Sequence, residues 1–158
     1  MSRYHLLGLL GLMAAGLLVL TATAEDRKAE DKKADTHHAM AFMECAKACD
    51  DCARICDACG AHCADLIANG KREHLTTLQT CQDCATACSA ASCVTARTGP
   101  FSDLMCTACA EACKRCGDAC EKHKSDDMMR RCAEECRKCE KVCRDMVKHA
   151  GNPTTPNK

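Results

Sequence analysis

The sequence predicts an all-α protein, an antiparallel up-down-up-down four-helix bundle with a cysteine-lined core. Three observations predict it. Cysteines recur at alternating steps of three and four residues in four separate stretches, the spacing that lines side chains along one face of an α-helix. Turn or capping residues bound each stretch, and the short connections force neighbouring helices to run antiparallel. Other core material is scarce: 19 cysteines among 158 residues stand beside no Trp, one Tyr and two Phe.

Taken in order, residues 1–24 read as a signal peptide. Arg3 is the one charge before Glu25, Leu6 to Leu20 is apolar, and Ala22-Thr23-Ala24 is a small-residue cleavage motif. The segment holds no twin-arginine pair and no lipobox cysteine. Export through the general route is expected, to the periplasm or the exterior, with no membrane attachment after cleavage. An uncleaved anchor is the alternative, since residues 6–24 are just long enough to span a bilayer. Residues 25–36 (EDRKAEDKKADT) form a charged linker or a fraying helical extension.

The bundle is expected over residues 37–149. Its first helix runs from about His37 to Ala68, carries Cys45, Cys49, Cys52, Cys56, Cys59 and Cys63, and stops at Asn69-Gly70. The second runs from about Arg72 to Arg97 with Cys81, Cys84 and Cys88, and ends at Thr98-Gly99-Pro100. Ser102 is a suitable N-cap for a third helix carrying Cys106, Cys109, Cys113, Cys116 and Cys120. Ser125, followed by Asp126 and Asp127, caps a fourth with Cys132, Cys136, Cys139 and Cys143. Residues 150–158 are a disordered tail. Eighteen thiols then face one axis. Cys93, five residues after Cys88, falls about 140° off the stripe.

The formal net charge is zero, with no basic stripe and no set of stacking aromatics, so nucleic acid is not a partner the composition supports. A disulfide scaffold fits poorly. Thiols three or four residues apart on a helix have Cβ atoms about 5–6 Å apart, beyond the roughly 3.5–4.5 Å a disulfide needs. Six CxxC motifs occur, but mostly in mid-helix rather than at a helix start after a strand, as in a thioredoxin-like enzyme. There is no CxxCH for haem and no Cys-Pro of the iron–sulfur type.

Metal binding remains, and soft thiolates select Cu(I), Zn(II) or clusters. Two arguments favour several Cu(I) ions per chain. Eight CxxxC pairs line the helices; a linear ion bridging two thiolates holds them about 4.5 Å apart, at metal–sulfur lengths near those of zinc thiolates. If each thiolate bridges two ions, a one-to-one core is neutral, whereas Zn(II) with four thiolates leaves uncompensated buried charge. A zinc-thiolate module and a structural or redox-buffering thiol protein are the alternatives.

Histidine and methionine gather at the ends. One end collects His62, His74, His123, Met128 and Met129, with His74, Met128 and Met129 facing inward by helical phase. The other collects His38, Met105, Met146 and His149. Such side chains could pass ions to the thiols, or simply fill the core and solvate helix ends. Met40 and Met43 fall on the outer face.

The segment CTACAEACKRCGDACEKHKSDDMMRRCAEECRKCEKVC resembles the last helical hairpin of the copper storage protein family, and the likeness extends over about Met40 to His149. It implies a non-enzymatic Cu(I) store or detoxifier, a homotetramer, and Cu(I) sites made mainly from CxxxC pairs. It also implies a ligand role for the cysteines of the four stripes and for His123 after Cys120. Where family members often carry His before the first cysteine of the last helix, this chain has Met128 and Met129. Exported relatives carry a twin-arginine signal; without one, loading after export is implied.

Overall fold

The structure is a computed structural model that describes residues 24–150. The signal segment up to residue 23 and the tail after residue 150 lie outside the described residues, as does the side chain of His149. Four α-helices follow one another: α1 (Ala24–Ala68), α2 (Leu75–Ala96), α3 (Ser102–Glu121) and α4 (Asp127–Ala150). A 3-10 turn, Arg72–His74, joins α1 to α2. No strand occurs among the described residues. Contacts join α1 to α2, α2 to α3, α3 to α4 and α4 back to α1, which closes the bundle.

α1 begins at Ala24 rather than near His37, so the charged stretch is helical. At 1.5 Å per residue its 45 residues extend about 67 Å, roughly twice any partner. It ends as the sequence predicts. Gly70 takes φ 87°, open only to residues that tolerate the left-handed region. The Gly70 N–H bonds to the Ile67 carbonyl at 2.9 Å and the Lys71 N–H to the Leu66 carbonyl at 3.0 Å, the Schellman arrangement. α2 closes in the same way, but its left-handed residue is Thr98, φ 49°.

Two expected caps are placed differently. The Ser102 hydroxyl donates back to the Gly99 carbonyl at 2.7 Å, and Ser102 is the first residue of α3, not its N-cap. Ser125 does not cap α4. Asp126 does: its Oδ1 accepts the N–H groups of Met128 at 2.9 Å and Met129 at 3.2 Å. A carboxylate there satisfies orphan donors and meets the positive helix end.

The core is sulfur. Eighteen cysteines are fully buried, and only Phe42, Met129 and Met146 add large apolar side chains to the buried set. Buried alanines, among them Ala46, Ala53, Ala85, Ala110 and Ala133, let the helices approach closely. Three large side chains contribute roughly 1.5–3 kcal/mol each by burial, a thin apolar core. Across the surface, Arg137 of α4 reaches Asp118 at 2.5 Å, Glu121 at 2.9 Å and the Lys114 carbonyl at 3.2 Å, all on α3. Gly117 makes room for it; a Cβ there would stand 3.0 Å from the guanidinium carbon.

Candidate metal centre

The alternating cysteine steps do place one thiol stripe per helix on the common axis. All 19 cysteines are free thiols, and each of the 18 on the axis is 0 % exposed. Cys93 is exposed and stands apart from the others. Neighbouring Sγ atoms in the core are 3.5–4.0 Å apart, thiols in contact rather than bonded.

The CxxxC pairs are close. Cys52–Cys56, Cys84–Cys88 and Cys109–Cys113 stand at 3.9 Å and Cys139–Cys143 at 4.0 Å. A linear bridge requires them to open by about half an ångström. Periodicity within one helix does not reveal what lies across the axis. A third thiol from another helix sits equally near each of these pairs. Cys136 lies 3.9 Å from Cys52 and 3.6 Å from Cys56. Cys88 lies 3.5 Å from both Cys109 and Cys113. Cys49 lies 3.9 Å from Cys139 and 3.5 Å from Cys143. Three thiolates around one ion stand about 4 Å apart, so these triangles suit three-coordination as they are.

The thiols also form overlapping quartets with every Sγ within 4.8 Å of the others. Cys49, Cys109, Cys139 and Cys143 form one, and Cys59, Cys81, Cys120 and Cys132 another. Between them, Cys52 with Cys84, and Cys56 with Cys136, each belong to two quartets. The sulfur is one continuous column, not a row of separate four-ligand cages.

Thiol–thiol contact and burial act together on the column, and not in one direction: contact with Cys109 and Cys139 pulls Cys49 down to about 6. Removal from water, with the charge of Cys59 beside it, pushes the Cys63 thiol up to about 12. Contact with Cys143, together with burial, outweighs the lowering contact with Cys45 and pushes Cys106 up to about 12. Where the thiol is raised, as at Cys63 and Cys106, it rests neutral and a bound ion must displace its proton.

The His74 end gathers the polar donors. His74, in the 3-10 turn, is 7 % exposed. Its ring lies 4.3 Å from that of His123, centroid to centroid. Its Nδ1 is buried without a hydrogen-bond partner. Burial, reinforced by His123, holds His74 below its usual range and favours the neutral imidazole that ligates metals. His62 Nε2 lies 2.8 Å from Asp126 Oδ2. Burial raises the Asp126 carboxyl, but the hydrogen bond to His62 and those from Met129 and Met128 outweigh it and hold the group below its usual value. Sequence reasoning missed Asp126, whose signal was an acidic residue at a helix start opposite a histidine.

Of the two methionines expected to face inward here, Met129 is fully buried and Met128 only half-buried. Consecutive helical residues are about 100° apart and cannot both face one axis. At the opposite end Met146 is buried, Met105 half-buried, and Phe42 is buried at 5 % exposure. His38 is exposed, its ring 4.7 Å from Phe42, outside the sulfur column. Met40 and Met43 are exposed, as the sequence predicts.

Comparison with known proteins agrees with this architecture. The copper storage protein family matches residues 31–148. No curated protein sequence matches. The fold is similar to that of a cytosolic copper storage protein from Streptomyces lividans with five coppers. That match has TM-score 0.66 and 30% identity, and covers 72% of this chain and 97% of that one. The Streptomyces lividans copper storage protein loaded with 10 copper equivalents gives TM-score 0.64 and 31% identity, over 69% and 85% of the two chains. A Cu(I)-bound copper storage protein, BsCsp3, gives 0.62 and 30%, over 67% and 98%. The sulfur column, the four-helix frame around it and a family match spanning the bundle converge: the chain belongs to the copper storage protein family.

Proposed function

We propose that the chain stores many Cu(I) ions along its axis, held by the thiolates of the 18 buried cysteines. The observation that carries this is the continuity of the column: free thiols in contact from Cys45–Cys106 at one end to Cys59–Cys120 near the other. Shared thiols allow bridging, so each ion can displace one proton and leave the core neutral. Three of the quartets share no member and could each take a zinc ion, but they leave Cys56, Cys116 and Cys136 of the same column without a quartet of their own.

Copper enters at the His74 end. His62, His74 and His123 offer imidazoles there, and Met129 offers a thioether beneath them. The ion then passes to Cys63, Cys59 and Cys120 and moves by ligand exchange, since each CxxxC pair has a third thiol in reach. Met128 stands at the rim. Met146 lines the other end, and exposed Cys93 and His38 stay outside the store.

The protein is not an enzyme in this reading; it holds and releases its cargo. Its apolar leader marks it for export, in contrast to the cytosolic Streptomyces lividans protein. Among the described residues no helix is long and apolar enough to cross a membrane. The family resemblance supports a homotetramer. Anaerobic Cu(I) titration of the reduced protein against a competing chelator tests the central claim. Storage requires copper to be withheld up to on the order of one ion per thiol. Uptake that stops at one or two ions would reduce the protein to a carrier.

A further inference from the structure

We propose that the His74 end also captures Cu(II), and that core thiols reduce it to Cu(I) as it moves inward. This deepens the storage reading and rests on it. The donors at that end differ in kind from those below. His62, His74 and His123 supply nitrogen and Asp126 supplies oxygen, the set that suits the tetragonal preference of Cu(II). The sulfur column beneath suits Cu(I) and not Cu(II). The His74 ring is more than nine-tenths buried, yet its Nδ1 has no hydrogen-bond partner. A buried ring nitrogen left without a partner is a place for an ion. His123 packs against the same ring at 4.3 Å, and Asp126, paired with His62 at 2.8 Å, is near enough to act electrostatically on His74. At the other end the buried side chains among the described residues are Phe42 and Met146, and His38 is exposed beside Phe42.

The electrons come from the thiols directly below. Cys81 and Cys116 lie 3.6 Å apart, and Cys81 and Cys120 3.9 Å. Two Cu(II) ions each take one electron from a pair of thiols. Two S–H bonds break, one S–S bond forms, two protons leave to water, and two Cu(I) ions remain for the surviving thiols. The reaction is stoichiometric: each reduced copper consumes one thiol. Loading from Cu(II) therefore stops when bound copper equals remaining thiols, at about half the capacity reached with Cu(I).

The test uses the reduced, metal-free protein in a Cys93→Ser background, so that no exposed thiol reduces copper outside the bundle. Cu(II) sulfate is added anaerobically, the Cu(II) resonance is followed by electron paramagnetic resonance, and thiols are counted. The expected result is rapid loss of the signal, one thiol lost per copper, and saturation near half the Cu(I) capacity. A His74→Ala/His123→Ala variant that retains parental helicity should bleach the signal at least about tenfold more slowly. A persistent Cu(II) signal, or equal rates in parent and variant, would overturn the proposal. The stoichiometry needs no variant and stands as a separate check. Failure of the storage reading shows differently, as a low capacity for Cu(I) supplied directly.

Discussion

At the His74 end of the bundle stand two polar pairs, His74 with His123 and His62 with Asp126; at the Phe42 end, a buried aromatic ring and a buried thioether lie on the same axis. Both ends cap one sulfur column, so the column's affinity for soft ions cannot tell them apart. What differs is the cost of passage. An ion that sheds water needs replacement donors at every step. The His74 end supplies them before the first cysteine, and the Phe42 end supplies mainly apolar surface. Capacity belongs to the column, and direction belongs to its ends.

The largest expected effect removes the apolar plug. Phe42→Ala should destabilise the metal-free protein by about 3–5 kcal/mol in denaturant unfolding, as expected for a truncated core aromatic. Its Cu(I) uptake rate should stay close to that of the parent. A marked acceleration would show that copper also enters beside Phe42, and the contrast between the ends would collapse. Next comes His123→Ala, which should slow Cu(I) uptake about tenfold in stopped-flow, equivalent to about 1.4 kcal/mol of barrier. Unchanged uptake would remove the imidazoles from the route.

Asp126→Ala should cost about 1 kcal/mol in thermal unfolding through loss of the α4 cap. It also frees His62, so its effect on uptake measures how far the His62–Asp126 contact holds the opening in place. The smallest effect near neutrality is that of pH. Cys63 is raised in the fold from 9.0 to about 12. Its contribution to stability is therefore complete below pH 9 and lost as pH climbs through that window. The metal-free protein should weaken there in pH-dependent unfolding. The copper-loaded protein, whose thiolates are already ionised and paired, should not.

Much of this was legible in the sequence because helical phase is a local property. The three-and-four rhythm identifies the buried thiols, separates Cys93 and turns His74 inward without any knowledge of partners. Neighbours across the axis were not legible. Cys52 and Cys56 announce themselves as a pair, but nothing in their spacing reveals Cys136 beside both. Choosing Asp126 over Ser125 as the α4 cap depends on where the α3–α4 turn docks, and His62, 64 residues earlier, binds the same carboxylate. Over residues 25–36 the sequence leaves linker and helical extension both open, because a charged segment without core residues fits either, and the structure selects the helix.

The sharing of thiols along the axis has an electrical consequence. If every ion that enters releases one proton, the chain exchanges one monovalent cation for another, and its net charge is the same full or empty. Isoelectric focusing would then place both forms in one band. A partner that collects copper from this protein cannot sense how much it holds from its surface potential. It must respond to the rigidity of a cross-linked bundle, or to copper already within reach at the His74 end.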